Sequence, residues 1–249
     1  MSYKFPHIEN QIYPKTFLKD VHVLLDFDIV NKTDEKLEGL RTLYKNHFNL
    51  KDVFDEDGSD RVEVYSEDDT VRFVFGWSSC TLIMRTPAYK SYSFAKPLLS
   101  IIVEYLETLG VKELNKVVMW KYNELEYEIN GEGSAAVAMN GVFSRELLEG
   151  NMTDEDVEAQ QSLTRWEKTV TIQDEEDTNS EFIFEFGFKC PSSDQLKGVV
   201  TLKSTIQSIG ITTKVEDLNG RLDSYNAVLD DAFHWSVQNM IINEMKKQP

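Results

Sequence analysis

Residues 116–129, "KVVMWKYNELEYEI", alternate between two sets of side chains almost without a break. Val117, Met119, Lys121, Asn123, Leu125 and Tyr127 fall on one side; Val118, Trp120, Tyr122, Glu124, Glu126 and Glu128 fall on the other. Successive side chains of a strand point to opposite faces, so this period of two predicts a long β-strand. Its place near the middle of a 249-residue chain makes it the predicted central strand, joining two halves. Asn123 then sits on a buried or half-buried face, where a polar group needs a partner. The segment around Tyr89, Tyr92 and Phe94, at a helix start, is the expected one.

The same reasoning extends to both sides of that strand. In "DVHVLLDFDIV" (20–30), Val21, Val23, Leu25, Phe27 and Ile29 share one face, which predicts a strand. In "NKTDEKLEGLRTLYKNHF", Leu37, Leu40, Tyr44 and Phe48 recur at helical spacing behind a capping Asn31 or Thr33. "RVEVYS", "TVRFVFGW" and "CTLIMRT" read as a meander of three short strands. "SYSFAKPLLSIIVEYLETLG" reads as a helix with Leu98, Ile101, Ile102, Tyr105 and Leu109 on its stripe and Gly110 as its stop. After the central strand come a short helix in "VFSRELLEG", then strands in "SLTRWEKTVTIQ", "EFIFEFGFKC" and "GVVTLKSTIQSIG". A single helix of about 30 residues, 217–246, is expected to close the chain, with its apolar stripe running from Leu218 to Met240.

Each half therefore reads strand, helix, three strands, helix. The predicted fold is α+β, an antiparallel sheet covered by helices, in a single domain spanning 1–249 with similar halves at about 15–110 and 111–247.

Charge limits the partners. Twenty-six basic residues against 43 acidic ones give a net charge of -17. Such a surface repels phosphate backbones, so neither nucleic acid nor an anionic membrane is expected. No run approaches the roughly 18 apolar residues of a membrane span, and "MSYKFPHIEN" has no apolar signal core, so the expected location is cytoplasmic. Cys80 and Cys190 stand far apart and outside any CxxC, as expected of buried thiols in a reducing cell, with a disulfide left open.

Motifs for chemistry are weak. "GEGSAA" (131–136) matches a dinucleotide loop only loosely, lacks the following helix, and reads as a mobile loop. "DEDGSD" (55–60) puts valines at the first and last ligand positions of a calcium loop. Ser93 and Lys96 have acyl-transferase spacing without the remaining elements, so Ser93 reads as a helix cap. His22, Asp26 and Asp28 lie on one strand, and a single histidine there reads as a polar strand face rather than a metal site. His7, His22, His47 and His234 are scattered, and His234 reads as a residue at the edge of the core. The aromatic cluster Tyr89, Tyr92, Phe94, Trp120 and Tyr122 reads as core before interface. No catalytic set, metal or cofactor is expected.

The runs "LIMRTPAYKSYSFAKPLLSIIVEYLETLGVKELNKVVMWKYNELEYE" and "LDDAFHWSVQNMIINEM" resemble a sporadically distributed bacterial family of unknown function. "YPKTFLKDVHVLLDF" is similar to that family's proline-containing lead and first strand. "YKSYSF" (Tyr89, Tyr92, Phe94) is similar to its Y-x-x-W/Y-x-x-F helix start. "WKYNEL" supplies Asn123 where the family's strand has an asparagine, and His234 stands near the family's helix histidine. The glycine and first arginine of the strand motif are absent. The resemblance implies mobile or defence-related genes and no activity. The expected function is a non-enzymatic protein-interaction module, an accessory or antitoxin-like component acting on an unknown protein partner, with homodimerisation open. Its candidate interaction or structural residues are Tyr89, Tyr92, Trp120, Asn123 and His234. The alternative expectation is an enzyme or small-ligand sensor with its site where the halves join.

Overall fold

The computed structural model describes residues 5–7, 13–48, 61–86, 89, 92–128, 134–149, 165–173, 179–189 and 197–247. The fold is α+β, and the strand pairs are antiparallel. The chain runs β1 (Leu18–Asp26), α1 (Asp34–Phe48), β2 (Arg61–Tyr65), β3 (Val71–Gly76), β4 (Ser79–Arg85) and α2 (Tyr92–Leu109). It continues through β5 (Glu113–Leu114), β6 (Lys116–Glu128), α3 (Ser134–Val142), α4 (Arg145–Glu149), β7 (Arg165–Gln173), β8 (Ser180–Lys189) and β9 (Lys197–Ser208). It closes with β10 (Thr213–Lys214), a 3-10 turn, α5 (Leu218–Ser236) and α6 (Asn239–Met245).

Two compact units are present. The first comprises Asp20–Met119 and Gln207–Ser224; the second comprises Met1–Lys19, Trp120–Ile206 and Tyr225–Pro249. Strand order in the first is β2-β3-β4-β1, and in the second β6-β9-β8-β7. β1–α1–β2–β3–β4–α2 and β6–α3–α4–β7–β8–β9–α5 thus repeat one pattern, and the strands of each set follow the order second, third, fourth, first.

In the first unit the period-two faces pack as the sequence requires. Val21, Val23 and Leu25 are fully buried, as are Leu82 and Met84 of β4, which lie opposite Val23 and Val21. Ile29 is 82% exposed, because the strand ends at Asp26 before reaching it. Leu40, Leu43 and Tyr44 of α1 and Leu99, Ile102, Tyr105, Leu106 and Leu109 of α2 supply the helical side of this core. Leu98 and Ile101 flank the α2 stripe rather than lie in it. The rings of Tyr44 and Tyr105 meet Phe75 at 5.4 and 4.6 Å. Thr33 caps α1, its carbonyl accepting from the Leu37 N–H at 3.0 Å. Gly110, at φ 74°, ends α2. The left-handed conformation that glycine adopts without strain lets Val111 N donate back to Leu106 O at 2.9 Å.

In the second unit every second residue of β8 from Phe182 onward is a buried phenylalanine: Phe182, Phe184, Phe186 and Phe188. Phe143 and Trp166 meet Phe186 edge-on at 5.3 and 5.8 Å, and Trp235 of α5 lies 5.7 Å from Phe184. A buried side chain of this size contributes roughly 1.5–3 kcal/mol.

Two expectations change. Residues 134–136 open helix α3 rather than a loop; the preceding glycines and the 55–60 stretch lie outside the described residues. The closing helix is also not continuous. It stops at Ser236, because tertiary hydrogen bonds compete for its backbone. Ser144 N donates to Ser236 O, and Gln238 N donates to Val142 O, both at 2.8 Å, around an antiparallel bridge between Phe143 and Val237. A second helix, α6, begins at Asn239, and Met240 emerges 61% exposed.

Candidate functional site

The five residues singled out from sequence divide between the units. In the first, Tyr89 is buried at 5% exposure, its N–H donating to Arg85 O at 3.1 Å. Tyr92 opens α2 half-buried beneath the Lys96 ammonium, 5.8 Å from the ring centroid. Burial first, and then the Asp223 charge, push its hydroxyl up from the ordinary tyrosine range. Phe94 is 39% exposed, so it is not core. His22 donates its Nε2–H to Asp20 Oδ1 at 2.8 Å, and Asn115 donates to Asp28 at 2.8 Å. Among the described residues no group of three or more His, Cys, Asp or Glu could hold a metal ion.

In the second unit, Asn123 and Lys121 lie on the helix-facing side of β6, 5% and 6% exposed. Lys121 Nζ donates to Asp230 Oδ1 of α5. Asn226 Nδ2, one turn earlier, donates to Asp230 Oδ2 at 3.1 Å. His234, one turn later, uses Nδ1–H to reach the Asp230 carbonyl at 2.7 Å, which leaves Nε2 to accept from the Tyr13 hydroxyl at 2.6 Å. Burial, with the Asp230 charge adding to it, raises the Tyr13 hydroxyl. His7 Nδ1 meets Asp231 Oδ2 at 3.1 Å. Phe5 inserts its ring against Phe182, Trp235 and Phe184 at 4.9, 5.4 and 5.8 Å. Lys15 N donates to Met245 O at 3.2 Å. The lead before β1 is thus fastened along α5 and α6, and His234 is one of the fastenings. The chemistry of this network is structural: Lys121, Asn226, Asp230, His234 and Tyr13 are joined by hydrogen bonds, and the lysine is held by an aspartate.

Sequence reasoning put Lys121 on the apolar side of β6 without assigning it a role. The signal lay in Asn226, Asp230 and His234, which recur every four residues and so form one polar row on a helix whose neighbouring row is apolar.

The opposite side of the strands in this unit differs. Trp120, Tyr122, Glu124 and Glu126 of β6 point there, with Thr201, Lys203 and Thr205 of β9, Glu181, Ile183 and Glu185 of β8, and Glu167, Thr169 and Thr171 of β7. Among the described side chains of this face, five are glutamates and one is a lysine. Tyr122 donates its hydroxyl to Glu124 Oε1 at 2.6 Å. Lys203 Nζ lies 5.5 Å over the Trp120 ring and 2.5 Å from Glu185 Oε2.

Fold and site define an α+β protein with a charged, aromatic sheet face. No family profile and no curated protein matches the chain. A solved structure titled "Methanococcus jannaschii TBP" is similar at 12% identity over 88% of this chain and 98% of that chain, with a TM-score of 0.28. A likeness this slight carries no argument. Among the described residues no helix is long and apolar enough to cross a membrane.

Proposed function

We propose that the protein is a non-enzymatic interaction module that docks a basic protein partner on the outward sheet face of its second unit. One observation carries this reading: among the described side chains of that face, the five glutamates Glu124, Glu126, Glu167, Glu181 and Glu185 stand with Lys203 around Trp120 and Tyr122. Like charge excludes nucleic acid from such a face, while complementary charge accelerates encounter with a cationic protein. Aromatic side chains supply the anchoring area that charge alone does not. In the setting that the family resemblance implies, the module would serve as an accessory or antitoxin-like component of a bacterial defence system.

The test is affinity capture from host lysate with the wild-type chain and with Glu124→Gln/Glu181→Gln/Glu185→Gln, followed by mass spectrometry. Basic proteins are expected on the wild type, released as salt rises, and lost from the variant. An identical captured set on both baits would overturn the reading, as would salt-sensitive submicromolar binding of random duplex DNA.

A further inference from the structure

Resting on that reading, we propose that Trp120 and Glu185 form a receptor for an arginine side chain of the partner, and that Lys203 occupies the receptor in the free protein. The Lys203 ammonium is held by two groups at once: the Trp120 face at 5.5 Å and the Glu185 carboxylate at 2.5 Å. A ring face with a carboxylate beside it is the arrangement that recognises a cation, and here the chain supplies its own.

The internal cation is easily displaced. Side chains of Lys203 and Glu185 are 34% and 44% exposed, and an ion pair so exposed to water contributes little. Lys203 can return its ammonium to solvent on a flexible stem. A guanidinium is the better occupant, because its plane stacks on the indole while its paired N–H groups reach both oxygens of a carboxylate. A further acceptor stands on the same side of β9. Thr205 is 7% exposed, and its Oγ1 has no hydrogen-bond partner, although it could accept an N–H once the lysine stem moves. Four residues along β6 from Trp120, Glu124 already holds the Tyr122 hydroxyl, which extends the acidic, aromatic lining for a second basic residue.

The probe is a fluorescein-labelled dodeca-arginine peptide, followed by anisotropy at low and at physiological salt. Wild type should bind it several-fold more tightly than the dodeca-lysine analogue. Trp120→Leu and Glu185→Gln should each weaken it about tenfold. Lys203→Gln should tighten it about threefold, because the internal competitor is gone. Lys214→Gln on β10, equal in charge change, should leave it within experimental error, which separates displacement from a simple gain of negative charge. Trp120→Phe, which keeps a ring, should fall between wild type and Trp120→Leu, and it serves if the leucine variant does not fold. If dodeca-arginine binds with unchanged affinity to the Trp120 and Glu185 variants, the receptor is overturned and the acidic-face reading stands. If neither peptide binds wild type at low salt, both fall.

Discussion

Lys121 Nζ and Asp230 Oδ1 lie 2.5 Å apart, although 109 residues separate them in sequence. This pair links β6 to α5 inside the second unit and holds the carboxylate that Asn226 also uses. Burial drives the Lys121 ammonium below the ordinary lysine range, and Asp230 recovers part of that loss. Removing one partner of such a pair costs more than the pair contributes, since a buried charge is left behind. Lys121→Ala is therefore expected to lose about 3 kcal/mol in urea unfolding, the low end for buried pairs because Asp230 is one-third exposed. Lys121→Met/Asp230→Asn, which leaves no unpaired charge, should lose less. A single-variant loss within about 0.5 kcal/mol, the range of ordinary surface substitutions, would mean the pair is not structural.

The alkaline limit of stability follows from the first unit. Burial raises the hydroxyls of Tyr44 and Tyr105 well above the ordinary tyrosine range. The unfolded chain releases those protons near pH 10 while the folded chain keeps them, so their contribution is complete below pH 10 and lost as pH rises further. Each contributes a decline of about 1.4 kcal/mol per pH unit above that point. Lys121 acts in the opposite sense: its proton is held more tightly when unfolded, so by itself it adds stability as pH rises. Urea midpoints between pH 9 and 11 should fall for wild type and fall less steeply for Tyr44→Phe. Parallel curves would refute the assignment.

Gly187 on β8 lies opposite Glu167 on β7. A Cβ there would collide with the Trp166 carbonyl and come within 2.8 Å of Glu167 Cα, both backbone atoms that cannot swing aside. Gly187→Ala should cost about 1–3 kcal/mol by the usual cost of overpacking. Thermal melting beside the conservative Thr169→Ser control would show it; equal melting temperatures would mean the strands part freely at this point.

Phe233 is 8% exposed on the inner stripe of α5. Phe233→Ala should cost about 3–5 kcal/mol, a large share of a stability of roughly 5–15 kcal/mol. An unchanged melting temperature with altered sedimentation would assign this helix face to assembly instead.

Periodicity made most elements legible. Alternation located β1, β6 and β8, and the spacing of Leu218, Leu222, Tyr225, Leu229 and Phe233 matches the buried side of α5. Two kinds of feature escaped. β5 and β10 are two residues each, too short to show any period. The end of α5 is set by hydrogen bonds from 142–144, which no local pattern in 217–246 encodes. The candidate face was half legible: the outward positions of β6 followed from alternation, whereas bringing Lys203 and Glu185 to Trp120 depends on how strands distant in sequence pair. Alternation put Lys121 on the apolar side of β6, but its partner was not visible, because a polar row on a helix does not say which strand it faces.

The first compact unit borrows Gln207–Ser224 from late in the chain, and the second borrows Met1–Lys19 from its start. The repeated order of elements suggests a gene that could be cut at its midpoint, but the molecule has no such seam. A polypeptide ending at Gly110 would lack the late segment of its own unit, and one beginning at Val111 would lack its lead. A cut at that point therefore separates each compact unit from a segment that it contains.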